Sequence, residues 1–577
     1  MTERTLIDEL LAEQQSLTAV ERFARQHERD ALPAQARYYR ELIPLDKPQP
    51  GEQYAFGVDL DACTSCKACV SACHSLNGLD DDETWRDVGL LHGGTIEEPY
   101  QQTVTTACHH CAEPACLEGC PVRAYEKDAE TGIVRHLDDQ CIGCQYCVLK
   151  CPYDVPKYSK KRGIVRKCDM CQSRLAANEA PACVQACPNG AIAIRVVSKS
   201  DVVKRTAPGE RLLPGAFDSH YTKPTTSYTS RKSIPANARA GDATALRLEH
   251  AHWPLIAMLV LTQMAAGIFA SASVIAFANP ILFASAKTVF GVAGFIALQL
   301  GLAISVLHLG KPLGAWRAVL GLRTSWMSRE ILAFGVFAAV AAAFVTLSWF
   351  SPDGIARKGA ALFQPPSETI ARSAAHLSPS GDSRKIVALR AGARWAAGST
   401  PLLYALSLAT ALAGLAGVYC SAMIYVDTRR PFWHANLTFT KFFGTALLLG
   451  SAGAGVLLAW LSFGEAARAF LIAAAIIRTV LFGWEFLQHQ HALADTSDPT
   501  HRSALTISRL LRPLVFVRAI LFAASTATAV FAISTTGTAS AFFATCSFFF
   551  TLISQTIERT IFFTAVVAPR MPGPFAR

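Results

Sequence analysis

Charge is scarce in this chain: of its 577 residues, 17% are Asp, Glu, Lys or Arg, while 51% are hydrophobic. A single soluble globule carries more charge than that. The shortfall is uneven, because residues 1 to about 250 are polar and cysteine-rich, whereas 252–567 is a series of long apolar runs broken by short polar loops. A soluble module joined to a membrane module is the reading. Concentrated basic patches are missing too. The net charge of +10 is scattered over loops without interleaved aromatics, which argues against a nucleic-acid partner and for juxtamembrane positive charge. The opening MTERTLIDELLAEQQSLTAVERF has neither a basic-then-apolar stretch nor a twin arginine, so the thiols are expected to stay in a reducing compartment, free of disulfides. Beyond Cys187 cysteine all but disappears. Cys420 and Cys546 stand alone in apolar runs and are expected to be packing residues.

The other sixteen of the eighteen cysteines fall into four groups: Cys63, Cys66, Cys69, Cys73; Cys108, Cys111, Cys116, Cys120; Cys141, Cys144, Cys147, Cys151; and Cys168, Cys171, Cys183, Cys187. The first and third have the spacing C-x2-C-x2-C-x3-C, the second C-x2-C-x4-C-x3-C, and the fourth C-x2-C-x11-C-x3-C. Three closely spaced thiols can wrap three corners of an iron–sulfur cubane, while a fourth, set off by three residues and followed by proline, reaches a neighbouring cluster. Pro121, Pro152 and Pro188 follow the last cysteines of groups two, three and four; group one ends instead in His74, read as a surface or supporting residue. Zinc sites favour two separated C-x2-C pairs, so the spacing points to iron and sulfur. Sixteen ligands in intact quartets imply four 4Fe-4S clusters, and four clusters in a row imply electron transfer.

Residues 1–50 read as a helical extension, with Thr18 and Glu21 spaced as a capping box. Over 51–199 short strand-like pieces, YAFGVDLDAC, GIVRHLDDQC and GIVRKCDMC, run into the cysteine groups, as in duplicated ferredoxin folds. Residues 200–250, rich in Pro, Ser, Thr, Gly and basic side chains, read as a basic linker. A bilayer core needs about 20 apolar residues of helix. Eight stretches of 251–577 qualify: about 253–277, 281–307, 330–350, 402–426, 438–462, 466–487, 512–534 and 540–566, with 351–400 as an extended loop. An even number of spans returns the chain to the side it started from. The fold class expected is therefore an α+β duplicated ferredoxin-like iron–sulfur domain, followed by an all-α polytopic membrane domain of eight transmembrane helices.

His308 ends the second apolar run and is followed by Gly-Lys-Pro after one leucine. It sits where a lipid-soluble quinone head would meet water, and equally where an interfacial anchor would. Arg478, Glu485, Arg518, Glu558 and Arg559 fall within apolar runs. Two readings stay open for them: polar lining of a proton or quinone path, or interhelical pairing. His434, His489 and His491 read as interfacial loop residues. A continuous line of buried acids, as an ion pump needs, is lacking.

The block Tyr54 to Ile194 resembles the four-cluster iron–sulfur subunit of membrane-bound molybdopterin oxidoreductases of the dimethyl sulfoxide reductase type. HWPLIAMLVLTQMAAG, HLGKPLGAWRA with SWMSRE, and QTIERTIFFTAVVAPRMPG together resemble the eight-helix anchor subunit of the same family, so the chain looks like a fusion of the two. The resemblance implies that group one exchanges its last cysteine with group four, and group two with group three. It implies that the clusters of groups two and three lie nearer the membrane, with the one held by Cys141, Cys144, Cys147 and Cys120 last before quinone. It also implies a quinone site at His308, for menaquinone or ubiquinone, and no haem. No pterin-binding region is evident, so the partner expected is a separate molybdopterin-containing catalytic subunit. Basic loops on the side where the chain enters the membrane favour a bacterial inner-membrane protein with its iron–sulfur domain on the cytoplasmic face. That topology points to sulfite oxidation; the alternative is a quinol-oxidising subunit of a dimethyl sulfoxide or polysulfide reductase-type complex.

Overall fold

The alternating segment EQYAFGVD turns Gln53, Ala55, Phe56 and Val58 inward and forms the first strand of the cysteine-rich unit. In the computed structural model, residues 5–15, 18–29, 36–44, 46–351 and 383–571 are described. Of the extended loop expected over 351–400, residues 352–382 lie outside the described residues, while 383–400 are not loop but the first part of the helix Ser383–Val426. The chain divides into two units, one of Met1–Cys141, Gln145–Ala245 and Pro569–Arg577, the other of Ile142–Cys144 and Leu246–Ala568.

Among the described residues, ten strands lie in the first unit: β1 (Glu52–Asp59), β2 (Asp87–Gly94), β3 (Pro99–Thr106), β4 (Tyr125–Lys127), β5 (Val134–His136), β6 (Lys157–Ser159), β7 (Ile164–Arg166), β8 (Ile192–Ser198), β9 (Ser227–Thr229) and β10 (Arg239–Ala240). They pair as β8-β1-β9, β10-β2-β3, β4-β5 and β6-β7. Strand β1 is antiparallel to β8, with Val58 opposite Ile192, and parallel to β9. Each cysteine group is entered from a strand: β1, β3, β5 and β7 end a few residues before Cys63, Cys108, Cys141 and Cys168. Three of those strands are the ones read from the sequence. Residues 200–245 carry more order than their composition suggests, since β9 and β10 each complete a sheet begun more than a hundred residues earlier.

Phe56, Val58, Leu60, Val88, Leu91, Val104 and Ile133 make the apolar core. Across it, Arg166 pairs with the buried Glu83 at 3.0 Å, donates to the Asn77 carbonyl at 2.7 Å, and lies over the Trp85 ring. Thr18 and Glu21 form the capping box expected of them, each backbone N–H donating to the other's side chain at 2.8 and 3.2 Å.

Among the described residues of the second unit, eight helices are long and apolar enough to cross a membrane: Trp253–Ala278, Pro280–His308, Trp326–Phe350, Pro401–Val426, Ala435–Trp460, Gly464–Ala494, Arg512–Ser534 and Gly537–Thr564. The first four pack on one another, as do the last four. The first and fifth spans join the two halves and are the most enclosed. They meet at Gly267 and Gly450, where a Cβ on either glycine would run into the backbone of the other helix. Without a hydrophobic drive between helices in lipid, such close backbone approach is how spans associate.

The sixth span differs from expectation. It continues to Ala494, so His489 and His491 stand on its last turns rather than in a loop, and His434 caps the fifth span through its Nδ1. Hydropathy marks only hydrocarbon depth, whereas helical hydrogen bonding continues into the polar interface.

Candidate functional site

A loop that wraps three thiols round one centre must bend more sharply than an L-residue backbone prefers. All four groups solve this in the same way: the residue before the second cysteine lies in the left-handed region, Ser65 (φ 61°), His110 (41°), Gly143 (71°) and Met170 (60°). Only one of the four is glycine. Holding three non-glycine residues there costs about 1–3 kcal/mol each, a strain that persists only where its surroundings enforce it.

The loops bring together thiols from different groups. One hollow is lined by Cys63, Cys66, Cys69 and Cys187, a second by Cys108, Cys111, Cys116 and Cys151. In both, three cysteines of one group are closed by the last cysteine of another. Cys73 faces Cys183 and Cys171, while Cys120 faces Cys141. Thiols of neighbouring groups also approach one another. Cys69 of the first faces Cys183, Cys168 faces Cys108, and the buried Tyr125 lies among Cys116, Cys120 and Cys147.

Backbone amides aim at the sulfurs. Ala124 donates to Cys120 Sγ at 3.2 Å and Ala191 to Cys187 Sγ at 3.3 Å, four residues on in each case, with a proline following the cysteine. Burial pushes the Cys73 thiol up to about 12 and the Cys120 and Cys151 thiols up to about 11. Thiols so buried stay protonated unless a cation claims the thiolate.

Two buried cations were not singled out in the sequence. Arg86 lies among Cys69, Cys73, Cys168 and Cys183, bonded to Thr105 Oγ1 at 3.2 Å and stacked over Phe56. Lys167 lies among Cys108, Cys116 and Cys168; its Nζ donates to the Cys168 carbonyl at 2.7 Å, approaches Cys108 Sγ at 3.7 Å and also donates to the Val134 carbonyl. Each sits where two neighbouring sulfur sets approach, as the compensation a buried anionic centre requires. His109 and His110 are also buried, between the first and second cysteines of the second group. Burial, with Arg86 nearby, holds His109 neutral with a pKa of about 3. His110 accepts the Val134 amide at Nδ1, 3.0 Å. His74 stands apart, with Nε2 on the Asp80 carbonyl.

This donor set fits a multi-iron cluster.

In the second unit, His308 bonds the Ser305 carbonyl through Nδ1, and its buried Nε2 has no hydrogen-bond partner among the described residues. His252, which the sequence reading passed over, faces both His308 and His250, its ring centroid 4.8 Å from that of His250. Burial, then these two histidines, lower His252 to about 4. Glu330 is buried on the third span with Ser421 as its partner.

The charges flagged in the other half are brought together. Lys441, also missed, reaches Glu485 at 3.1 Å and Glu558 at 2.5 Å; Arg518 reaches Glu485 at 2.5 Å, and Arg559 lies 3.6 Å from Glu558. Interhelical pairing across the last four spans is thus present, and Lys441, Glu485 and Arg518 also line a cavity there, so the polar-lining reading stays open. Arg478 stands outside the pairs, on Thr551 at 3.3 Å.

Comparison with known proteins gives two family matches: residues 100–197 match a 4Fe-4S dicluster domain, and 248–350 with 399–565 match the DMSO reductase anchor subunit, DmsC. The chain is 36% identical over 180 residues to YnfG of Escherichia coli K12, a probable anaerobic dimethyl sulfoxide reductase subunit, covering 30% of this protein and 86% of that one. It is 38% identical over 146 residues to the B subunit of the anaerobic dimethyl sulfoxide reductase of Haemophilus influenzae, 24% of this protein and 71% of that one. Similarity also extends to the hydrogenase-2 operon protein HybA of Escherichia coli O157:H7, 33% identical over 223 residues, 34% of this protein and 65% of that one.

Proposed function

Because the chain belongs to the dimethyl sulfoxide reductase family, with that family's iron–sulfur subunit and membrane anchor in one polypeptide, we propose that its sixteen grouped cysteines hold four 4Fe-4S clusters and link a separate molybdopterin-containing catalytic subunit to membrane quinone at His308. The observation that carries this reading is the closing of two of the three-thiol loops by a cysteine from another group, Cys187 in one hollow and Cys151 in the other. The ligand sets are then Cys63, Cys66, Cys69, Cys187; Cys168, Cys171, Cys183, Cys73; Cys108, Cys111, Cys116, Cys151; and Cys141, Cys144, Cys147, Cys120. When bound, such clusters supply one-electron carriers whose potentials follow hydrogen bonds to sulfur and net charge. The protein's own residues supply those terms through the amides of Ala124 and Ala191, and the cations of Arg86 and Lys167.

His308 Nε2, buried and without a partner among the described residues, is the group assigned to a quinone oxygen, with His252 beside it. Substrate chemistry belongs to the partner: the same module is shared with proteins named for a dimethyl sulfoxide reductase and for a hydrogenase operon. Sulfite oxidation follows if the iron–sulfur unit faces the cytoplasm of a bacterial inner membrane; quinol-driven reduction of dimethyl sulfoxide or polysulfide is the alternative.

The reading is tested on one preparation. The full chain should contain about sixteen irons, four per cubane, and His308→Ala the same number, yet the rate at which added quinol reduces the clusters should fall at least tenfold. An unchanged rate would remove His308 from the site, and a value near eight irons would break the four-cluster assignment.

A further inference from the structure

The last four spans enclose a cavity of about 540 Å³ that the proposed His308 site does not use. Its walls are apolar and aromatic: Phe432, Leu437, Phe482, Phe486, Val515 and Ile561. Its charged lining is Lys441, Arg518, Glu485 and Asp498, two cations against two anions, with His434 and His489 neighbouring them.

That volume lies within the range of sites for ring-sized ligands, about 300–1,000 Å³, and an apolar wall with a few convergent polar groups is their usual lining. Charge decides the class of head group. Glu485 already takes both cations, Lys441 on one oxygen and Arg518 on the other. A phosphodiester would compete with that carboxylate and lie beside it. A neutral head with carbonyl or hydroxyl oxygens meets no such penalty. Donors remain for it: Arg518 Nε has no hydrogen-bond partner among the described residues, and Lys441 has a third N–H beyond its bonds to Glu485 and Glu558. Flat rings are provided for as well. Phe482 stacks on Phe522 at 4.6 Å with the Arg518 guanidinium 5.6 Å from its ring centroid, and Phe486 lines the cavity beside it.

We propose that this cavity is a second site for a quinone-class amphiphile, the ring lying against Phe482 and Phe486 and its oxygens accepting from Arg518 and Lys441. The inference rests on the reading that this anchor meets quinone, and it adds a place for it in the other half of the bundle.

The test uses the full cluster-containing protein in nanodiscs of phosphatidylethanolamine and phosphatidylglycerol, photolabelled with a ring-azido quinone and mapped by peptide mass spectrometry. Label should appear within 431–441 or 482–518. Val515→Trp, which fills the cavity from a partly exposed position, should lower it at least fivefold while label around 305–330 persists. Phe486→Ala, which removes a wall without adding bulk, should lower it too, and serves if the first variant fails to retain its iron. Label at 305–330 alone overturns the second site and leaves the His308 reading standing. Label at neither place overturns both. Phosphatidylglycerol that stays bound in native mass spectra and is lost with Val515→Trp, with no quinone label, shows a phospholipid cavity and overturns the proposal.

Discussion

Lys167 shows how much a single side chain can set in an iron–sulfur unit. Its ammonium is buried among Cys108, Cys116 and Cys168, with two backbone carbonyls to satisfy it and one sulfur at 3.7 Å. A cation there favours the more negative, reduced state of whatever the neighbouring thiolates hold. Replacing it by methionine keeps the stem's volume and removes the charge. A hydrogen bond to a charged group contributes about 1.5–3 kcal/mol, which for one electron is about 60–130 mV. Lys167→Met should therefore lower the midpoint of one or two clusters by that order in a potentiometric titration followed by electron paramagnetic resonance. An unchanged set of four midpoints would show that the ammonium only fills space. The quartets themselves were legible because ligand spacing is local in the chain. Lys167 and Arg86 were not, because a sequence does not distinguish a solvated cation from a buried one. What buries Arg86 is the pairing of β2 with β3 and the approach of Cys168 and Cys183 from some eighty to a hundred residues away.

Among elements, the contact of the first and fifth spans bears the most weight. Gly267 and Gly450 let the two backbones touch, and nothing larger than hydrogen fits at either. Gly335 on the third span has nothing within 4 Å of a Cβ and makes a matched control. Overpacking a tight contact costs about 1–3 kcal/mol, sometimes more. Gly267→Leu should lower the detergent melting temperature of the full chain by several degrees, and Gly335→Leu should leave it within error. Equal behaviour of the two would mean that the spans do not meet at Gly267. Existence of the eight spans was readable from run length alone, because hydrocarbon thickness dictates it. Their ends were not: Gln488–Ala494 is polar helix, and the short helix His501–Arg509 has no apolar run to reveal it. The same limit hid β9 and β10, whose two or three residues carry no periodicity and take their conformation from strands they join.

At the scale of the whole molecule, the charge pattern argues for one orientation. The chain enters its first span at Trp253 and leaves its last at Thr564, so with eight spans both points lie on one side. On that side the connections carry Lys311, Arg317, Arg323, Arg429, Arg430, Arg502 and Arg509, and the adjoining first turns of two spans carry Arg329 and Arg512. Three of the four connections on the other side, at 279, 461–463 and 535–536, carry no charge; the fourth, within 351–400, is the exception, with Arg357, Lys358, Arg372, Arg384, Lys385, Arg390 and Arg394. Positive residues in short loops are retained in the cytoplasm, so everything N-terminal to Trp253 is expected there. The tip of the β2–β3 hairpin offers a reporter, since Ile96 is 98% exposed and sits between paired strands. A specific protease sequence inserted after Ile96 should survive protease added to intact spheroplasts and be cut in inverted vesicles. Cutting from outside would reverse the orientation. It would also remove the case for sulfite oxidation and leave quinol-driven reduction of an external substrate as the function to pursue.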